Sequence, residues 1–388
     1  MALKYPLANG VWSNATNWNG GTVPVPGDDV RANGFTVTID VDIDVLQIST
    51  AQLLPANAGG SFVVSTNRTL TCNIIAGTTT CLTSTVGNTV NIIGNITAGS
   101  AIAVSFTNAG SILNVTGNAN GSSAIGLTSS GTVNFVGNAS NLIGTSSGVL
   151  TGAININSGG VLNFTGNATS LGLFSFGIVC NGSSTLNGTI TGGNNVSSAG
   201  VRLNTGIHTV NSDCFGGTLS GCHGLLVVNS TVTVNGNCTG GGTAGSHAVS
   251  VGNSTATFNG NIIGSTSSTS FGLNVGDTAS NVVISTMTFS TNGGTPVNGF
   301  VKFKNAAPTI TVRKANNTNQ TLVDPSTTDI PVIGNVRDGV SYASGTLTGT
   351  LKVPSPLNVA LGVPTDNTVG SAVITIGDMG TLLASFQI

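Results

Sequence analysis

Val90-Asn-Ile-Ile-Gly-Asn95, Leu113-Asn-Val-Thr-Gly-Asn118, Val133-Asn-Phe-Val-Gly-Asn138, Leu162-Asn-Phe-Thr-Gly-Asn167, Val232-Thr-Val-Asn-Gly-Asn237 and Ala256-Thr-Phe-Asn-Gly-Asn261 are copies of one pattern. Two apolar residues alternate with polar ones and run into Gly-Asn. Degraded copies start at Leu186 and His208, and the first positions of the eight lie 23, 20, 29, 24, 22, 24 and 24 residues apart. A unit this short cannot bury a core by itself, so successive copies must stack. Leu70-Thr-Cys-Asn-Ile-Ile75 extends the series backwards, giving nine coils and a stack of roughly 43 Å at the spacing of paired strands.

Each coil carries a second apolar stretch, as in Ala124-Ile-Gly-Leu127, Gly200-Val-Arg-Leu203, Gly224-Leu-Leu-Val227, Ala248-Val-Ser-Val251 and Gly272-Leu-Asn-Val275. Corners such as Asn229-Ser-Thr and Gly252-Asn-Ser-Thr join it to the motif. Gly and Asn tolerate the left-handed backbone that tight corners need. The pattern predicts an all-β chain, a right-handed parallel β-helix of about nine coils of ~24 residues. Asn at equivalent corners is expected to form amide ladders.

Composition agrees. Only 6 % of the 388 residues are charged, yet 39 % are hydrophobic, which favours an ordered β-protein over a disordered Gly-rich chain. All 12 acidic residues are Asp, and the near absence of Lys and complete absence of Glu leave few exposed-helix formers. Arg202 is the sole Lys or Arg between Thr69 and Val301, so no basic stripe exists for nucleic acid. No stretch has the apolar length of a membrane span, and Met1–Leu7 lacks the apolar region of a signal peptide. Synthesis in a cytoplasm without a secretory leader is the expectation.

Flanking the coils, residues 1–50 read as an N-terminal cap or attachment segment holding both tryptophans, 51–285 as the β-helix, and 286–388 as C-terminal antiparallel β-structure with a joint at 323–335. The C-terminal region holds six of the ten basic residues and prolines at 296, 308, 325, 331, 354, 356 and 364. A cap would shield the open edge of the first coil.

Candidate chemistry is sparse. Glycoside hydrolysis needs two carboxylates about 5–9.5 Å apart. The coils between Val90 and Ile284 offer only Asp213 and Asp277, 64 residues apart, or roughly 13 Å along the axis. Arg202, His208 and Asp213 invite a catalytic reading, but alignment puts His208 at an apolar position and Asp213 at the Asn corner. His223 and His247, one coil apart, are expected to stack; as metal ligands they lack carboxylate companions. Asp40, Asp42 and Asp44 alternate along Phe35–Val45 and read as a solvated edge in preference to a Ca²⁺ site, while Asp28-Asp29 caps a turn. Cys214 and Cys238 each follow the Gly-Asn position and read as a buried thiol ladder, not a disulfide or a metal site. The sequons at Asn95, Asn138 and Asn167 follow from composition. No catalytic, cofactor-binding or metal residue is assigned.

Two stretches carry a resemblance. Trp12-Ser-Asn-Ala-Thr-Asn-Trp18-Asn-Gly-Gly-Thr-Val-Pro24, with Asp28-Asp-Val30 and Phe35-Thr-Val-Thr-Ile-Asp40, resembles the start of β-helical proteins of tailed phages and of some large bacterial surface proteins. Val336-Arg-Asp-Gly-Val-Ser-Tyr-Ala-Ser-Gly345 and the residues onward to Pro364 resemble a β-module of the same proteins. The resemblance implies a non-enzymatic virion protein, a tail fibre, tailspike or capsid-surface appendage. Its implied partners are two further copies in a homotrimer, capsid or tail proteins, and a host-surface glycan. A trimer would cover flanks that low charge leaves adhesive. The other readings are a glycan-binding adhesin and a polysaccharide depolymerase with a site between subunits.

Overall fold

A computed structural model describes residues 2–50, 59–99, 101–121, 127–141, 151–170, 175–193, 198–242, 245–264, 270–275, 280–284, 289–291, 297–298 and 302–303, and further on 339, 341–342, 347–348, 350–351, 364–365 and 368–369. The chain divides into two units, Met1–Asp324 and Pro325–Ile388. The first is a parallel β-helix, and its only described helical pieces are the 3-10 turns Ala15–Asn17 and Asn19–Gly21.

Each coil turns through three faces. In one coil the first face is Thr89–Ile93, the second Ile96–Thr97 and the third Val104–Phe106. The motif makes the first face, and its Gly-Asn is the corner that leads into the second. Every described ladder between successive coils is parallel, and motif residues pair with their counterparts: Val90 with Leu113, Leu113 with Val133, Val133 with Leu162. Period-2 alternation turns both apolar positions of each copy inward, where Leu113, Val115, Val133, Phe135, Leu162 and Phe164 are fully buried. Each such side chain contributes about 1.5–3 kcal/mol. The rings of Phe135 and Phe164 stack at 5.7 Å.

The stack runs beyond the nine coils that the motif counts. Among the described residues the third face has thirteen strands, from Gly10–Val11 to Val297–Asn298. Parallel pairing reaches past residue 285, to Val283 and Ile284 against Lys302 and Phe303. At the other end, most of the segment read as a cap is already coil. Leu3 and Lys4 pair with Asp29 and Val30, Asp29–Arg31 with Gln47–Ser49, and Gly10 and Val11 with Val37 and Thr38, all parallel. These coils lack Gly-Asn but keep the alternation, with Val30, Val37, Ile39, Ile43, Val45 and Ile48 buried. The part that departs from coil geometry is the antiparallel contact of Pro6 with Trp18. Trp12 and Trp18 are buried edge-to-face at 4.9 Å, the Trp18 Nε1–H donates to the Trp12 carbonyl at 2.8 Å, and Trp12 packs on Phe62. The tryptophans therefore fill the interior of the first coils.

In the second unit the described strands are two antiparallel pairs, Ser341–Tyr342 with Leu347–Thr348 and Pro364–Thr365 with Thr368–Val369.

Candidate functional site

The corners explain what the repeat conserves. Gly94, Gly117, Gly137 and Gly166 adopt φ of 153°, 151°, 143° and 150°. A β-carbon on Gly117, Gly137 or Gly166 would come within 2.0, 1.8 and 1.8 Å of the carbonyl oxygen of the glycine one coil back. The column is glycine because backbone lies against backbone there. Beside it, the Asn118 N–H donates to Asn95 Oδ1 at 2.9 Å, Asn138 N–H to Asn118 Oδ1 at 3.0 Å, and Asn167 N–H to Asn138 Oδ1 at 3.1 Å. The side chains of Asn95 and Asn138, two of the three sequon asparagines, thus carry a structural duty. At the opposite corner Asn229 and Asn253 take φ of 52° and 47°, the left-handed conformation expected of them.

A second amide ladder stands mid-strand on the outside of the first face. Asn114 Nδ2 donates to Asn91 Oδ1, Asn134 to Asn114 and Asn163 to Asn134, each at 2.8 Å. In a separate column at the corner end of the later strands, as expected of corner asparagines, Asn211 donates to Asn187, Asn235 to Asn211 and Asn259 to Asn235 at 2.7–2.9 Å. The sequence reading placed ladders only at corners, although the motif's second residue is Asn in four copies. Where the first ladder ends, the column continues as Thr185, Thr209, Thr233 and Thr257. Asn134→Ala removes two amide bonds and is expected to cost about 1–2 kcal/mol in urea unfolding. Asn134→Thr, which repeats a residue native to that column, should cost less than half as much.

The candidate chemical residues are not assembled. His208 is buried in the interior between Ser184 and Val232, as its alignment predicts. Its Nε2–H donates to the Thr205 carbonyl at 2.8 Å, which leaves Nδ1 to accept from the Ser184 hydroxyl at 2.9 Å. Burial lowers its pKa. Asp213 holds the Asn corner, accepting from Asn237 N–H at 2.7 Å and Nδ2 at 3.1 Å. Arg202 lies on the third face, its guanidinium 5.8 Å from the Phe176 ring centroid and its Nε–H donating to Asn204 at 2.7 Å. Phe176 joins Val179, Ala199 and Leu226 in a satellite apolar cluster that no sequence feature announced. Asp277 lies outside the described residues.

His223 and His247 stack at 5.1 Å with rings 9° from parallel, and Phe271 continues the column at 5.1 Å. The Phe271 N–H donates to His247 Nδ1 at 3.2 Å, so that nitrogen carries no proton. His223 Nδ1 is buried without a hydrogen-bond partner. Burial pushes the His223 pKa down to about 4; burial and the neighbouring His223 push His247 to about 3. Among the described residues no third ligand joins them in a metal-binding group.

Asp40, Asp42 and Asp44 do not share one strand, because the chain turns a corner between Thr36–Thr38 and Ile43–Ser49. Asp40 accepts from Ser13 N–H and Oγ–H, and Asp42 accepts from Thr69 N–H at 2.9 Å, so each bonds a neighbouring coil. Burial acts to raise the Asp40 pKa, but the Ser13 hydrogen bonds and the Arg68 charge outweigh it and hold the carboxyl below its usual value. Asp28 is buried and accepts from Val25 and Ala2 N–H at 3.1 and 2.9 Å, the turn cap expected of it; Asp29 pairs with Arg31 at 2.9 Å.

Cys214 and Cys238 are register partners, and all six cysteines are free and buried. Burial raises the Cys72 and Cys180 thiols to about 12 and about 11. At these two cysteines thiolate, the reactive form, is accordingly scarce at neutral pH.

Searches against protein-family models, curated proteins and solved structures return no match for this chain.

Proposed function

We propose that the chain is a non-enzymatic structural protein of a tailed-phage virion, a trimeric fibre, spike or capsid-surface appendage whose coil stack is a rigid spacer. The observation that carries this reading is the use of the polar side chains. Asp40, Asp42, Asp213 and the Asn columns bond from coil to coil, and His208 is satisfied inside the core. Such groups stiffen a rod. The phage setting is supported by the resemblance of residues 12–40 and 336–364, and the capsid or tail partners belong to the same proposal.

The outward Asn and Thr columns favour a second reading, an adhesin that presents amides and hydroxyls to a host glycan. Antibody labelling of purified particles tests the first, with label expected on the head surface or tail of every particle. Unlabelled particles combined with glycan-array binding that is lost on replacing the Asn91–Asn163 ladder would establish the second instead.

A further inference from the structure

Resting on the reading of this chain as a self-associating rod, we propose that its copies pack through the outside of the first face. Eight successive strands build that surface, from Thr89–Ile93 to Thr255–Phe258. Three columns point outward, one running Thr89, Ile112, Thr132, Val161, one through the Asn ladder, and one from Ile93 to Asn259. None of these outward side chains is charged. Five large apolar residues are exposed on it: Ile93 at 49 %, Val136 at 54 % and Ile207 at 69 % exposure, with Ile112 and Val161. They alternate with Thr and Ser along the two outer columns, on either side of the Asn ladder, and with no charge on the face nothing keeps copies apart.

Three features fit a second copy of the chain as the occupant. The face offers no ionic complement to a charged partner, but it matches another neutral face. Its side chains recur at the strand spacing of about 4.8 Å, a period that another copy reproduces rung for rung. Eight rungs at ~4.8 Å by five residues at ~3.3 Å give a flat area of roughly 600 Å² per partner, so a pair buries about 1,200 Å², the lower bound of a specific interface. Charged residues stand beyond both ends: Asp44 pairs with Thr71, which pairs with Ile93, and Lys302 pairs with Val283, which pairs with Thr257, so each is two rungs beyond the face. There they limit sliding between copies.

Sedimentation velocity of the full chain, with Val136→Lys/Ile207→Lys beside Phe215→Lys on the second face, tests this. The wild type and Phe215→Lys are expected to sediment as the oligomer, and the double variant at the mass of one chain with an unchanged far-ultraviolet circular dichroism spectrum. If the lysine pair unfolds the coils, Val136→Thr/Ile207→Thr, which copies residues native to these columns, is expected to weaken association at least tenfold. An oligomeric wild type whose folded face variants keep its mass would overturn this face but leave self-association standing. A wild type that stays a single chain at micromolar concentration overturns both. Loss of glycan binding in the double variant of such a monomer would give the face to a glycan instead.

Discussion

Gly137→Ala is expected to destabilise the coil stack by about 2–6 kcal/mol, far more than one methyl group normally does. Two costs combine. The residue sits at φ 143°, where a non-glycine residue costs about 1–3 kcal/mol. Its β-carbon would also stand 1.8 Å from the Gly117 carbonyl oxygen, so the coils must separate or the corner must twist, at a further ~1–3 kcal/mol. Separation would also lengthen the Asn138-to-Asn118 bond next to it. Gly159→Ala is the control: φ is 81°, but nothing lies within 4 Å of the added carbon, so only the backbone term of about 1–2 kcal/mol remains. Because a solenoid is held by neighbour contacts, the damage should be local. Hydrogen exchange ought to quicken around residues 112–141 and 161–170, with the coils near His223 unchanged. Equal losses in urea unfolding for the two variants would show that backbone conformation alone, not stacking, demands the glycine.

The same column explains what was legible in the sequence. Backbone contact favours glycine, so Gly recurs at a fixed place in every copy but that of Ser212; the copies read as starting at Leu70 and Leu186 are two residues out of register, because Leu70 pairs with Ile92 and Leu186 with Phe164. Alignment on it put His208 at an interior position and Asp213 at a corner, and both stand there. Where the corner is made without Gly-Asn, the signal vanishes. The coils that include Asp29–Arg31 and Ile43–Ser49 looked like a cap, and the bend between Thr38 and Ile43 was hidden inside an alternating run. Alternation reports which residues point inward, not where a chain turns. The Phe176 cluster and Arg202 were illegible for another reason. They meet across the third face, whose register with the motif is set by loops of variable length.

Acid should loosen the coils around His223 and His247 before the rest of the stack. In the folded chain these imidazoles titrate near 4 and 3, against an ordinary value of 6.5. The unfolded chain therefore binds protons first, and stability, complete above pH 6.5, falls as the pH drops from 6.5 towards 3. At about 1.4 kcal/mol per pK unit, displacements of this size cost the fold several kcal/mol by the acid end. The geometry gives the same sign. A proton on His247 Nδ1 would break the bond from Phe271 N–H, and two charged rings would face each other at 5.1 Å. His208, also held neutral by burial, adds to the slope, whereas Asp28 and Asp40, with lowered pKa values, lose their contribution only below the ordinary carboxylate value of 3.8. Between pH 6.5 and 4.5 the histidines therefore dominate. His223→Phe/His247→Phe keeps a stacked ring column that continues into Phe271 and forfeits one hydrogen bond, about 1 kcal/mol at pH 7. Measured by urea unfolding, the wild type should lose stability steeply over that range and the double variant should keep only the shallower slope of His208, so that the two curves cross. Parallel curves would assign the acid sensitivity to His208 and remove the stacked pair from the account.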